Sequence, residues 1–491
     1  MDKKTEVIKS QQKRIAILEE HLRLNRANQF GRSSEKNSDQ GEFFDEVETL
    51  AEETEDDQLS ETTPSKKKSN AGRKGLSKNI PREQVYIDLT DEEKEGAIDV
   101  FYTTVKEELD ITPAKVRVLE YLQQKAVFAD TNEDGTTKRT IKAATMPKHP
   151  LNKAIGSISL LAYIIIAKFC DGLPLYRQEN ILSRYGGTIT RTTMANWMIR
   201  LSLQLQPLIN LMREHQLEYD YIQGDETTIA VLKEEGRSPT SKKYMWVTLG
   251  GPPDKPAILF EYDPSRGKEV PQRLFEGYTG YLQVDGYPGY DAVCLAQGIT
   301  QLGCMDHLRR YYVNAQKAQP KKNKSGNVSK ADVAIGKLRK LYKIEKEIKD
   351  LSVEERYRQR QKLSVPLLQD FKTWVDKNIG KVEKGSLTHK ALVYSRNQWP
   401  KIIRYCDDGR LHMSNILAEN AIRPFVIGRK NWLFADTSNG AKASATLYSL
   451  IESAKANGLE PYKYFCTVLK QIPYAENVED FEKLLPWNIE R

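Results

Sequence analysis

Apolar and polar residues alternate with a period of two in three runs, DYIQGDETTIAVL (Asp220–Leu232), KKYMWVTLGG (Lys242–Gly251) and PAILFEYD (Pro256–Asp263). Glycine, proline and aspartate punctuate them, so three antiparallel strands are predicted. The pattern then changes to a short helix over Val270–Phe275, a strand in GYLQVDGY, a helix over Pro288–Ala296 and a strand in ITQLGCMD. A further helix starts near His307. Three antiparallel strands followed by strand–helix–strand–helix predict a mixed α+β sheet.

That order is the order of a ribonuclease H-like core. Residues 313–410 are lysine-rich with helical spacing and read as a helical insertion. The core then resumes with SNILAENAIRPF, GRKNWLF and the helix KASATLYSLIESAKANG. Upstream, ISLLAYIIIAKF (Ile158–Phe169) is shorter than the ~20 residues a bilayer span needs and reads as a buried helix. In LPLYRQENILSRYGGTITRTTMANWMIRL, a helix with Leu175, Ile181 and Leu182 ends at Gly186-Gly187. A second helix, capped by Thr190 or Thr192, turns Met194, Trp197 and Met198 inward. This fits a helix-turn-helix with Arg191, Thr192 and Asn196 facing a DNA groove; a plain helical hairpin has the same pattern. At the N-terminus Ile8, Ile15 and Leu22 recur every seven residues with Leu18 between them, as in a short coiled coil or a solvated amphipathic helix. The partition is 1–36 coiled-coil helix, 37–83 charged linker and basic arm, 84–148 small module, and 149–215 helix-turn-helix-like region. It continues with 216–312 core, 313–410 insertion, 411–458 core with the last acid, and 459–491 C-terminal segment.

Charge changes the picture in the linker. Phe43 to Glu61 holds nine acids and no base, and the sign flips from Lys66 onward. Arg73 and Lys74, in AGRKG, are candidates to lie on DNA phosphates; solvated disorder is the alternative. The net charge of +8 permits a polyanionic partner without requiring one. Five scattered cysteines form no CxxC pair, which excludes a disulfide framework and a four-cysteine zinc site. A reducing, cytoplasmic setting is expected.

Three acids carry the candidate chemistry. Asp225 ends the first strand, Asp285 lies 60 residues on at the end of a neighbouring strand, and Glu419 lies 134 further on, in a helix. Brought together they form a hard oxygen site suited to Mg2+ or Mn2+. Two ions about 3.5–4 Å apart hold the attacking and leaving oxygens of an in-line phosphoryl displacement. Glu226 points to the opposite face of its strand, toward a base or solvent. Asn415, Glu419 and Arg423 share one helix face, Leu417, Ala421, Ile422 and Phe425 form the apolar side, and Ser414 is the expected cap. Cys304 and His307, two residues apart in CMDHLRR, are read as buried support for the site together with Asn415 and Arg423. Arg309, Arg310, Arg429 and Lys430 are candidates for DNA phosphates. Trp432 is either a stacking residue or core.

At these residues the chain resembles the transposases of the insertion sequence 66 family. GDETTIAVL, VDGYPGYDAV, GCMDHLRRYY, AENAIRPFVIGRKNWLFA and LLPWNIER carry the match, from about Ile155 to the C-terminus, with looser agreement at FGRSSEK and AGRKGLSKNIPRE. The resemblance implies a DDE transposase on a ribonuclease H-like fold, with Asp225, Asp285 and Glu419 as its acidic triad and Cys304/His307 as a CxxH element. Two departures stand out. No cysteine lies between Arg82 and Phe169, so the zinc module usual there is not predicted. The usual Asp-Asn-Asn ahead of the glutamate is Ser414-Asn415-Ile416. The expected partner is double-stranded DNA, as terminal inverted repeats and target, with a homodimer or larger oligomer, possible accessory proteins of the same element, and no membrane. A catalytically inactive DNA-binding partner of a transposition complex and a structure-specific nuclease are the alternatives.

Overall fold

From Asp2 to Phe30 the chain lacks proline and glycine and forms one helix, α1. In this computed structural model the described residues are 2–30, isolated positions between 84 and 114, 115–131, 137–319 and 328–490. The chain divides into two units, residues 1–31 with 118–491 and residues 32–117. Arg73, Lys74 and the charged linker lie outside the described residues. Leu24 of α1 packs with Ala315, Ala318, Ala331 and Leu387, and Arg23 Nε donates to the Ala318 carbonyl at 2.8 Å. Ile8, Ile15, Leu18 and Leu22 are exposed, so the heptad seam is not the face that docks within the chain.

Strands β1 (Lys125–Thr131) and β2 (Thr137–Ala143) pair antiparallel; residues 132–136 between them lie outside the described set. Helices α2 (Ile158–Phe169), α3 (Leu175–Arg184), α4 (Arg191–Gln204) and α5 (Gln206–Glu218) follow. The α3–α4 turn is tight because Gly186 adopts φ +83° and the Gly187 N–H returns to the Leu182 carbonyl at 2.9 Å. Thr190 caps α4 by accepting from the Thr193 N–H. Met194, Trp197 and Met198 are buried, while Arg191, Thr192 and Asn196 are exposed.

Next come β3 (Tyr221–Ile229), β4 (Val231–Lys233), β5 (Lys243–Gly250), β6 (Ala257–Asp263), α6 (Glu269–Leu274), β7 (Tyr281–Gln283), α7 (Gly289–Gln297), β8 (Thr300–Leu302) and α8 (Met305–Lys317). Five strands form one mixed sheet in the order β6-β5-β3-β7-β8. The β3/β5 and β5/β6 pairs are antiparallel; β3/β7 and β7/β8 are parallel. On one face Met245 and Val247 join a large core with the upstream helices; on the other Ile222, Trp246, Leu282 and Val293 form a second core.

The insertion consists of α9 (Lys330–Ile348), α10 (Val353–Gln359), a π-helical turn (Arg360–Ser364), α11 (Val365–Ile379) and α12 (Leu387–Ile402). Backbone bonds fasten its end to β8: the Gly303 N–H donates to Lys401 and the Met305 N–H to Met413. Arg360, only 2% exposed, donates from Nε and Nη2 to Glu345 and from Nη1 to the carbonyls of Tyr405 and Asp408. After the insertion come α13 (Ile416–Trp432), β9 (Ala435–Thr437), α14 (Ser438–Ala456) and α15 (Pro461–Gln471). Ser449 and Ser453 of α14 accept from the Phe260 and Ile258 N–H groups, both at 2.8 Å, and so saturate the edge of β6.

Candidate active site

The parallel register of β3 and β7 pairs Gln223 with Gln283. Two residues beyond each glutamine stand Asp225 and Asp285. Asp225 is the middle residue of β3 rather than its end, and since side chains repeat every second residue it leaves the strand on the face Gln223 occupies; Asp285 follows two residues after β7 ends. The two glutamines are buried and act as a clamp. Gln223 Nε2 donates to Gln283 Oε1 at 3.0 Å and to the Ser414 carbonyl at 3.4 Å; Gln283 Nε2 donates to the carbonyls of Gly303 and His412.

The same clamp sets the start of α13. Gln223 Oε1 accepts from the Ala418 N–H, one of the amides a helix start leaves unpaired. The expected Ser414 cap is therefore corrected: Ser414 is buried, the cap position is Asn415, and neither side chain caps the helix. Asn415 Nδ2 instead donates to the Gly224 carbonyl at 3.2 Å, which ties the residue preceding Asp225 to α13. The apolar stripe is corrected by one residue as well. Leu417 is exposed, and Ala418 packs inward with Ala421, Ile422 and Phe425, which share its helix face at i+3, i+4 and i+7. Glu419, next to the clamped amide, is thus brought within electrostatic reach of Asp225.

The acids are close enough to repel. Burial raises the Asp225 carboxyl well above its usual 3.8, and Glu226, Glu419 and Asp285 push it further up. Burial likewise raises Glu419, with Asp306 and Asp285 adding to the effect against the attraction of Arg310 and Arg423. Glu419 Oε1 is buried without a hydrogen-bond partner among the described residues; His307 Nδ1, likewise without one among them, stands 3.6 Å away. Burial lowers the His307 pKa, with Arg310 acting in the same direction and Asp285 and Asp306 against it. A cluster of mutually repelling carboxyl groups with an unbonded oxygen fits a hard divalent cation, which removes the repulsion and supplies the missing partner.

Among the described residues the three donors that lie within 4.8 Å of one another are one atom each of Cys304, His307 and Glu419, and neither Asp225 nor Asp285 is in that group. Burial holds the Cys304 thiol protonated, and the His307 and Asn415 N–H groups point at its sulfur. The cysteine therefore links the starts of α8 and α13 beneath the glutamate.

Glu226 takes the other face, as strand alternation requires. Its Oε1 accepts from Arg266 Nε at 2.8 Å and its Oε2 from the Tyr290 hydroxyl at 2.6 Å. Burial and Asp285 still raise its pKa. Sequence reasoning missed Arg266, Tyr290, Asp306 and the two glutamines. A pair of glutamines inside apolar strands was the one signal present; Arg266, in a turn 40 residues from Glu226, gave none.

Three family descriptions match the chain. "Transposase IS66 family" covers residues 153–443, "IS66 C-terminal element" 449–487 and "Transposase C of IS166 homeodomain" 17–85. The chain belongs to the IS66 transposase family. The "Uncharacterized protein y4qI" of Sinorhizobium fredii (strain NBRC 101917 / NGR234) is similar along its length, 31% identical over 98% of this chain and 90% of that protein. The "Uncharacterized protein y4jD" of the same strain is 28% identical over 84% of this chain and 81% of its own length.

The DDE character of the family brings divalent metal use into this IS66 member's chemistry. Arg310 of α8 reaches to 4.0 Å from Glu419 and is half exposed; Arg309 lies beside it. Arg429 Nη1 donates to Thr227 Oγ1 at 2.9 Å and to the Thr228 carbonyl, so this cation is spent on the end of β3, while Lys430 is exposed. Trp432 is core, edge-on to Phe425 at 5.6 Å. No helix among the described residues is long and apolar enough to cross a membrane.

Proposed function

We propose that this IS66 family member is a DNA transposase with a ribonuclease H-like core. It hydrolyses a phosphodiester at the ends of its element and joins the freed 3′-hydroxyl to target DNA. Asp225, Asp285 and Glu419 hold two Mg2+ or Mn2+ ions. Such ions, when bound, activate water and neutralise charge on the phosphate under attack. The protein's own part is placement. Asp225 and Asp285 present oxygens from adjacent strands, and Glu419 presents one from a helix start bolted to both strands by Gln223. His307 and Cys304 fix the glutamate's surroundings, and Arg310 draws the DNA backbone toward it.

The observation that supports this reading is the buried Glu419 oxygen, without a hydrogen bond among the described residues, on a carboxyl near enough to Asp225 and Asp285 for the three to repel. The test is strand transfer by Asp225→Ala, Asp285→Ala and Glu419→Ala proteins with Mg2+, using duplexes that end in the repeats of the chain's own element. All three are expected to bind DNA and to neither cut nor join. Activity retained in any of them removes that residue from the triad. Wild-type protein that binds DNA without binding Mn2+ in calorimetry points to a non-catalytic partner, and cutting without joining points to a nuclease.

A further inference from the structure

Arg266 stands beside the acids in an arrangement that a purely structural ion pair does not need. It sits in a turn whose shape is set by side chains: Asp263 accepts from the Ser265 N–H at 2.7 Å, and Ser265 Oγ from the Gly267 N–H at 2.9 Å. The guanidinium stacks on the Tyr287 ring with its centre 4.0 Å away, and the Tyr287 hydroxyl donates back to the Arg266 carbonyl. Nε and Nη2 both bond Glu226, whose side chain is 2% exposed. Nη2 also lies 3.9 Å from Asp285 Oδ2. The Arg266 side chain keeps 38% of its surface, and Nη1 has no hydrogen bond among the described residues.

Arg360 shows what a structural arginine looks like in the same protein. It is 2% exposed, and Nε, Nη1 and Nη2 all bond protein oxygens. Arg266 is held as firmly but only along one edge. A half-exposed guanidinium fixed along one edge, with Nη2 3.9 Å from Asp285 and Nη1 left without a bond among the described residues, matches the geometry with which arginine binds phosphate oxygens. Glu226, on the strand face opposite Asp225, supplies the grip that orients it.

We propose that Arg266, positioned by Glu226 and Tyr287, binds a non-bridging oxygen of the scissile DNA phosphodiester. The assignment rests on the transposition reading above. It predicts that the charge of that one linkage is felt through Arg266. The probe is a duplex ending in the element's own repeat, with either a phosphodiester or a neutral methylphosphonate at the cleaved linkage, bound in Ca2+. The ratio of the two affinities is expected to fall roughly 10–100-fold from wild type to Arg266→Gln, the worth of one hydrogen bond to a charged group. An equal ratio in both proteins overturns the assignment. Should Arg266→Gln fail to fold, Arg266→Lys replaces it. A single ammonium cannot both hold Glu226 and present a fork, so the ratio falls by a smaller factor, and again an unchanged ratio is fatal. Cleavage of the unmodified duplex by wild type in Mg2+ is run alongside. Cleavage with an unchanged ratio sinks Arg266 alone, whereas no cleavage removes the transposition reading and this inference with it.

Discussion

Two buried charged clusters of this chain are built on opposite terms. In the insertion Arg360 meets Glu345 through two nitrogens and two carbonyls through the third, so the buried cation is fully answered. In the middle of β3, Asp225 is pushed by Glu226, Glu419 and Asp285, all of one sign, and Glu419 Oε1 has no hydrogen bond among the described residues. Burying a charge costs several kcal/mol unless it is compensated. The first cluster meets that cost within the chain and holds helices together. The second leaves it to something from outside, which marks it as a place for chemistry.

Substitution separates the two most widely. Asp225→Asn should reduce cleavage and strand transfer by more than the roughly 10²–10³-fold lost when one preorganised electrostatic group is removed. The same change should leave the melting temperature equal or higher, because it relieves repulsion. Activity and thermal unfolding measured on one preparation check this, and a large fall in melting temperature would put Asp225 in the structural class. Arg360→Leu should do the reverse: destabilise by about 3–5 kcal/mol in urea titration, as breaking a buried pair does. Adding Glu345→Leu should recover much of the loss.

A finer probe is His307→Ala. It removes a neighbour of Glu419 rather than an acid, and losses of about 10–100-fold in Mn2+ affinity are typical of such supporting groups. Isothermal titration gives the number; unchanged affinity and activity would make the histidine simple packing. The smallest effect is in pH dependence. Asp225 has a folded-state pKa raised above 3.8, so it binds its proton more tightly folded than unfolded. Its contribution to stability is complete below about 4 and is lost as pH rises through the folded-state value. Metal-free wild type should therefore lose stability relative to Asp225→Asn as pH rises, and parallel melting curves would contradict this.

Much of this contrast was legible in the chain itself. Period-two runs identify β3, β5 and β6, and the glycine pair and threonine cap identify the α3–α4 turn, because these signals are local. Asp225 and Asp285 were legible as acids on neighbouring strand segments, but not their exact places: Asp225 is the middle residue of β3, and Asp285 lies two residues past the end of β7. Long-range polar contacts were not. Ser414 has the chemistry of a cap, yet Gln223, 195 residues before Ala418, takes the amide. Leu417 is the more apolar residue, yet Ala418 is the one on the buried helix face with Ala421, Ile422 and Phe425. Arg266 and Arg360 carry no periodic signal, and only the folded chain distinguishes the one left half open from the one sealed on every side.

The insertion also governs timing. Glu419 follows Asp285 by 134 residues, so a ribosome releases both aspartates long before it makes the glutamate. The helix that bears it docks only through a clamp between distant segments, and such contacts form slowly. A nascent or truncated chain ending before α13 holds two acids and no third. On the proposed reading, an incomplete translation product is harmless to the genome of its host.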